Sequence, residues 1–489
     1  MSQIHTGRAT RRRATRVARA AAYAVLVTVA VAVPLALWPS ASPLIDSTYG
    51  REHLPFELFG LTASIAILTI AWLEIARLPE RSFERALPVV VPTLVAFAFL
   101  TLVVEQFRRS WDYGCYERAA QALLAGRDPY ADTAYIYPPL VAQLLAAAHR
   151  LVLGARGLLG APSGVDTSGW YSVFYLFQCA QLLAVNLVFL LLYRFARRLE
   201  IGKTAALALV AALLLCDHPV LRTLRHNQVN LYLVAIVLVF TLWLGSRPFL
   251  SGLVVALGAY LKLYPLLLAL VMLLVRSRRA LLGLAVGAFA IALLPSGMGT
   301  DFRVWQQFWA VAGSFPRSHA FRDNSVQSVV FNLARFSLTP LGVSEAWVAR
   351  VASWTVTATS LAVLAWFATR FLRREAAFRR LASEPAASLA GRDLSFFRVS
   401  GHVADCLALM LLVSPMVWEH HYVLALPLAV WAVATRGPSQ PRAIGVALIL
   451  MLAVPTFDVF PLSFHRIAGL LALVALTPPR ELLPARCDA

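Results

Sequence analysis

The sequence predicts an all-α protein, a polytopic transmembrane helical bundle of about 12 spans with one broken or re-entrant hairpin. Composition is the first reason: 489 residues, 59% hydrophobic and 14% charged, carry more apolar surface than a soluble core of that size can hide. The second is that the apolar residues are blocked. Runs of about 16 to 25 of them, the length a helix needs to cross roughly 30 Å of hydrocarbon, alternate with short polar or basic connectors. The third is that the basic residues concentrate in alternate connectors, as the positive-inside rule requires.

The elements follow in order. Arg8, Arg11, Arg12, Arg13, Arg16 and Arg19 precede an apolar run from Tyr23 to Trp38, which places this end in the cytoplasm. The competing reading is a cleaved signal peptide ending near Ser40 to Ser42; either puts Asp46 outside. Spans are expected at Glu57 to Ala76, Leu87 to Gln106, Trp170 to Tyr193, Thr204 to Asp217 and Val229 to Gly245.

Phe249 to Val275 is flanked by Arg247 on one side and Arg276, Arg278 and Arg279 on the other. At about 27 residues it is too short for two full spans, and its two basic flanks call for entry and exit on one side. The expectation is a hairpin over 249–275 with Leu261-Lys262-Leu263-Tyr264-Pro265 at its tip; the alternative is one long tilted helix, which would invert everything downstream. Ala280 to Met298, Val348 to Phe371, Gly401 to Met416, Tyr422 to Thr435, Ile444 to Pro455 and Ile467 to Leu476 complete the set.

With the hairpin as one element, both termini are cytoplasmic and most of the 44 Lys and Arg lie inside, the run Arg370, Arg373, Arg374, Arg379, Arg380 among them. The chain divides into 1–106 (basic terminus and three spans), 107–169 (an external loop), 170–298 (membrane bundle), 299–346 (a second external loop) and 347–489 (C-terminal spans). Amphipathic stretches at Tyr116 to Leu124 and Leu140 to Leu151 are expected to lie along the membrane surface. This is a multi-pass plasma-membrane protein surrounded by lipid. The net charge of +19 comes from topology and not from nucleic-acid binding, because no polar folded domain of useful size presents it. Cys115, Cys179, Cys216, Cys406 and Cys487 show no ligand spacing and are read as packing residues.

The polar chemistry gathers on the outer side. Asp112, between Trp111 and Tyr113 at the mouth of a span, is the leading candidate for a general base beside rings that can stack on a sugar; the alternative is that Asp112 merely caps the helix starting near Tyr113. A second cluster runs from Asp217 to Asn230. Its Asn227, Gln228 and Asn230 could bind sugar hydroxyls, and Arg222, Arg225 or His226 a phosphate; the alternative is helix capping and interhelical polar bonding. Lys262 is a cation at membrane depth, a position that by default marks an anionic ligand, with snorkelling to the interface as the alternative. Trp418-Glu419-His420-His421-Tyr422 is a third cluster, and Asn324 with Ser325, Gln327 and Ser328 a fourth. His420 and His421 are adjacent and have no third ligand at a helical spacing, so no metal site is expected; one of them could orient a phosphate or move a proton.

Trp111-Asp112-Tyr113, Gly126-Arg127-Asp128-Pro129-Tyr130, Tyr137-Pro138-Pro139, His226-Asn227-Gln228-Val229-Asn230, Lys262-Leu263-Tyr264-Pro265, Asn324-Ser325-Val326-Gln327-Ser328 and Trp418-Glu419-His420-His421-Tyr422, in that order, resemble glycosyltransferase family 87. The resemblance runs from about Trp111 to Tyr422 and leaves the first two spans as an extension. It implies a GT-C membrane fold and transfer of a sugar, mannose or arabinofuranose, from a polyprenyl-phosphate carrier to an extracytoplasmic glycan or glycolipid, with inversion. It places Asp112 at the catalytic carboxylate; beside it Tyr113, Tyr137, Asn227, Gln228, Asn324 and Trp418 are read as candidate sugar or acceptor contacts. Lys262, His226, Arg225 and His420 would meet the donor phosphate, and His421 would assist. Glu419 departs from the pattern by adding a second carboxylate, the runner-up base. No DxD motif for a metal-bound nucleotide sugar is present, so no cofactor is expected. A flippase or transporter of lipid-linked sugars and a non-catalytic scaffold are the competing classes; the first would suit an intramembrane lysine and a broken hairpin.

Overall fold

The computed structural model describes residues 109–159, 169–215, 217–297, 303–313, 319–384, 393–480 and 482–483; the first three expected spans and the N-terminal arginines lie outside them. All regular elements among the described residues are helical. The segment expected as the first external loop forms α1 (Trp111–Leu124) and α2 (Leu140–Leu159), covering both amphipathic stretches. The bundle follows with α3 (Trp170–Arg198), α4 (Lys203–Leu215), α5 (His218–Arg225), α6 (Asn230–Trp243), α7 (Pro248–Leu261), α8 (Leu268–Leu274) and α9 (Arg278–Gly297). The second loop contributes α10 (Arg303–Gly313) and α11 (Val326–Leu338), and α12 (Glu345–Ala382), α13 (Leu394–Val413), α14 (Leu426–Arg436), α15 (Pro441–Leu448) and α16 (His465–Leu476) complete the chain.

Helix starts are set by short polar side chains that take an otherwise unpaired amide of the first turn. Ser110 accepts from the Tyr113 amide, Asp217 from Val220, Ser325 from Ser328 and Asp393 from Phe396. Ser110 therefore caps α1, and Asp112 lies inside its first turn, which removes the capping explanation for Asp112.

Three described helices, α3, α12 and α13, are long and apolar enough to cross a membrane. A fourth is possible if α4 and α5, bent by 52° at their junction, act as one broken span. The α13 helix is buried along nearly its whole length, whereas α12 leaves Trp354, Leu361, Leu364 and Leu372 exposed, an apolar surface suited to lipid. Cys115 and Cys406 are buried as expected of packing residues, but Cys179 on α3 is exposed.

The hairpin expectation is tested by packing direction. The chain breaks after α7: Lys262 is extended, and a 3-10 turn over Tyr264–Leu267 leads into the short α8. Pro265 folds back onto Gly258. The α7 and α9 helices then pack closely and parallel to each other. Phe249 lies against Gly283, Gly252 against Leu284, Ala256 against Gly287, and the Tyr260 hydroxyl donates to the Ala288 carbonyl at 2.7 Å. Two parallel helices require the intervening chain to return to the end it started from, which one long tilted helix cannot do. Gly252 and Gly283 permit this approach, because a Cβ on either would overlap a backbone carbonyl of the facing helix.

Buried charges fix the helices at one end of the bundle. Asp405 of α13 accepts from both Arg370 and Arg374 of α12 at 2.7 Å, and Arg370 also donates to the Val474 and Thr477 carbonyls at the C-terminal end of α16. The three side chains are almost completely enclosed, so their pairing holds α12, α13 and α16 together where any one alone would be unaffordable in a low dielectric.

Candidate functional site

At one end of the bundle four chain segments meet: the start of α1, the α5–α6 connector, the break after α7, and a 3-10 segment over Glu419–Ala425 that precedes α14. Ser110 joins the first two. Its hydroxyl donates to the His226 carbonyl at 2.7 Å, and its amide donates to Asn227 Oδ1 at 3.1 Å. Asn227 adopts a left-handed backbone (φ 52°), a conformation asparagine tolerates better than most residues, and its side chain is fully buried. The result is that Asp112 and His226 face each other, Oδ2 to Nδ1 at 3.7 Å, and both remain partly open to solvent.

Lys262 lies at the centre of the second half of the site. It is buried, and its ammonium donates to Asn230 Oδ1 at 2.8 Å and Gln228 Oε1 at 3.0 Å, with His421 Nε2 at 3.5 Å. The two amide oxygens accept from the ammonium, and His421 Nε2 accepts the third N–H in the tautomer that carries its proton on Nδ1. The Tyr137 ring lies 4.6 Å from the ammonium, and the Tyr116 hydroxyl donates to the same Gln228 oxygen at 3.0 Å. Asp112 is within electrostatic reach of Lys262. Gln181 of α3 holds the Gln228 carbonyl at 2.8 Å, and the Asn230 amide holds the His420 carbonyl at 3.0 Å. Extended backbone at Lys262, between two helices, is what lets the long side chain turn into this polar nest instead of snorkelling.

The 3-10 segment sets the histidines and Glu419. Burial, with the neighbouring ammonium, holds the imidazoles of His420 and His421 well below their ordinary value, so both are neutral at physiological pH. Three guanidiniums surround Glu419, Arg222 Nε at 2.6 Å and Arg322 and Arg466 each at 3.9 Å, and the His218 imidazole, which burial holds well below its ordinary value, lies with Nδ1 at 3.8 Å. Burial alone would raise its carboxyl, but Arg222, followed by the other cations, outweighs that and holds it well below the usual carboxylate range. Arg322 is also paired with Asp458 at 2.8 Å.

Other expected contacts are placed differently. Tyr113 is fully buried, edge-on to Phe174 at 4.8 Å, because the helix begins at Trp111 and one residue along it turns the side chain by about 100° away from Asp112; it offers no face to a sugar. Asn227 and Asn324 are enclosed and work as braces, Asn324 through its side-chain bond to the Arg322 carbonyl and its amide bond to Val417. Trp418 is half-buried, and Asp323 is bridged to it in a short antiparallel pairing that ties the segment before α11 to the 3-10 segment. Arg225 is exposed at the end of α5, while Arg222, one turn earlier, points inward to Glu419. Ser110, Tyr116 and Gln181 were not singled out from the sequence. Only Ser110, two residues before Asp112, carried a readable signal, as a preferred cap.

The comparisons with known proteins follow the same lines. The profile of glycosyltransferase family 87 matches residues 135–392, more than half of the chain. The matched segment holds Tyr137, Gln228, Lys262 and Asn324; Asp112 and Glu419 lie on either side of it and join it through the contacts described above. A polyprenol-phosphate-mannose-dependent alpha-(1-2)-phosphatidylinositol mannoside mannosyltransferase of Mycobacterium tuberculosis is 30% identical over 253 residues, 51% of this chain and 51% of that protein, so the chain spans about half the length of the curated relative it matches. No solved structure matches. The chain belongs to glycosyltransferase family 87.

Proposed function

We propose that the protein transfers a sugar, mannose in the first instance, from a polyprenyl-phosphate carrier to a glycolipid or glycan acceptor, with inversion at the anomeric carbon. The observation that carries this reading is a partly open carboxylate, Asp112, across from a buried ammonium, Lys262, in a family 87 chain. The relative that is 30% identical over 253 residues is named as polyprenol-phosphate-mannose-dependent and as a phosphatidylinositol mannoside enzyme, which supports both partner classes.

In this mechanism Asp112 accepts the acceptor hydroxyl proton while that oxygen attacks the anomeric carbon opposite the departing lipid phosphate. Lys262 offsets the charge that grows on the phosphate, from a position where Gln228, Asn230 and His421 already hold the ammonium in place. Asp112 is preferred to Glu419 as base because Glu419 is enclosed and committed to Arg222, Arg322 and Arg466. Family membership favours transfer over the transporter reading, and Lys262 is bound into a polar nest.

The full topology, about 12 spans with both termini cytoplasmic and the active site on the extracytoplasmic side of the plasma membrane, belongs to the same reading. Its supports are the parallel α7–α9 packing and the basic connectors at Arg247 and Arg276 to Arg279.

The test is reconstitution with radiolabelled polyprenyl-phosphate sugars and membrane glycolipids, comparing wild type with Asp112→Asn. Transfer from the mannosyl donor that is lost in the folded variant supports the reading. Transfer that survives the substitution removes Asp112 as base, and no transfer from any donor returns the transporter reading to first place.

A further inference from the structure

An inverting displacement puts the base and the leaving group on opposite faces of the sugar, so the proton taken from the acceptor must travel before the enzyme is ready for another turnover. The acceptor O–H bond breaks as the O–C1 bond forms. The C1–O bond to phosphate breaks, and its electron pair stays on the phosphate oxygen. The donor is a phosphodiester with one charge and the product a monoester with two, whose second ionisation lies at about 6. The balance therefore closes within the active site if the proton on Asp112 reaches that oxygen.

A row of imidazoles lies between the carboxylate and the ammonium. His226 Nδ1 is 3.7 Å from Asp112 Oδ2. The His226 ring centroid is 5.9 Å from that of His420, a gap that one water or a small ring rotation spans. His420 is 4.5 Å from His421, whose Nε2 faces Lys262. His420 Nε2 is buried and has no hydrogen-bond partner among the described residues, an arrangement that costs free energy unless something transient uses it. The surrounding bonds are aimed at holding this row still. Ser110 fixes the His226 backbone against α1, and Thr223 and Asn230 both donate to the His420 carbonyl, at 3.1 and 3.0 Å.

The geometry points to a proton relay, Asp112 to His226 to His420, that returns the acceptor proton to the leaving lipid phosphate held at Lys262. It rests on the reading of Asp112 as base. The groups facing the relay are Asp112 from α1, Arg222 and Arg225 from α5, Glu419 and His421 from the 3-10 segment, and Lys262 from the break after α7. Burial disfavours the charged form of both imidazoles, so each takes a proton on one nitrogen only as it gives one up from the other. The second negative charge on the departing monoester then opposes the field of Lys262 and makes the proton available where it is needed.

The experiment measures transfer from polyprenyl-phosphate mannose across pH in H2O and D2O, for wild type, His226→Gln, His420→Gln and Asp112→Asn, with thermal unfolding as the folding control. Expected are losses of ~10²-fold in kcat with little change in KM for the two histidine variants, an altered pH profile, and partial rescue by added imidazole. The wild type should show a curved proton inventory from more than one proton in flight. Histidine variants with wild-type kcat and pH profile, beside an inactive Asp112→Asn, overturn the relay and leave the base intact. An active Asp112→Asn overturns the base itself. Should a variant not fold, a linear inventory in the wild type overturns the relay by itself.

Discussion

Replacing Glu419 with Gln separates its two possible roles. The carboxylate is enclosed, with Arg222 at 2.6 Å and His218, Arg322 and Arg466 all within 3.9 Å. The amide is nearly isosteric, so packing is kept and only the charge is lost. Arg222 and Arg466 then lose the carboxylate they share, leaving Asp217 within electrostatic reach of Arg466 and Asp458 paired with Arg322. Removing one partner of a buried ion pair costs about 3–5 kcal/mol, because it leaves an uncompensated charge in a low dielectric. The expected result is a fall of several degrees in unfolding temperature in detergent or nanodiscs, with transfer reduced in proportion to folded protein. A variant that unfolds with wild type yet transfers nothing would refute the charge-hub assignment and make Glu419 the base. The pH dependence has a definite sign. The folded-state value lies below the ordinary 4.5, so the stabilisation is complete above about 4.5 and is lost only as pH falls towards the folded value. Wild type should lose stability at acid pH where Glu419→Gln loses less.

Asp112→Asn should lower kcat by ~10²–10⁴-fold with an unchanged unfolding temperature, since the side chain is partly exposed and Ser110 rather than Asp112 caps α1. Lys262→Met leaves the Gln228 and Asn230 oxygens without their shared cation; donor affinity and kcat should both fall, and Lys262→Arg should not restore them because a planar fork does not fit three converging acceptors, all read by donor titration of transfer. Gly252→Ala places a methyl 2.6 Å from the Leu284 amide and closer still to the Ala280 carbonyl, so α7 and α9 must separate; a loss of at least about 1–3 kcal/mol is expected in thermal unfolding, and none would argue against the parallel packing.

Much of the site was legible because its residue types are rare in apolar sequence. A lysine at Lys262, amides at Gln228 and Asn230, and paired histidines at His420 and His421 stand out against leucine and alanine, and each is costly to bury without a partner. The break after α7 was legible too, from basic residues on both flanks of an apolar run of the wrong length. Direction was not. Asp112 and Tyr113 are neighbours in sequence but about 100° apart around α1, one partly open and the other buried, and this depends on Ser110 starting the helix two residues before Asp112. Glu419 was visible as a carboxylate but not as the centre of a cationic ring, because Arg222, Arg322 and Arg466 come from distant parts of the chain.

The sequence by itself determined that the protein is a helical membrane bundle with its polar side chains in a few connectors, because hydrocarbon admits only helices whose backbone bonds close locally and whose apolar runs match its thickness. Tertiary structure alone decided which of those polar groups meet: Ser110 holding His226 opposite Asp112, Asn230 and Gln228 enclosing Lys262, and arginines from three segments claiming Glu419. The bonds within a helix are local and can be read from neighbouring residues, whereas a buried charge is satisfied by whatever partner the packing brings to it, however far away in the chain.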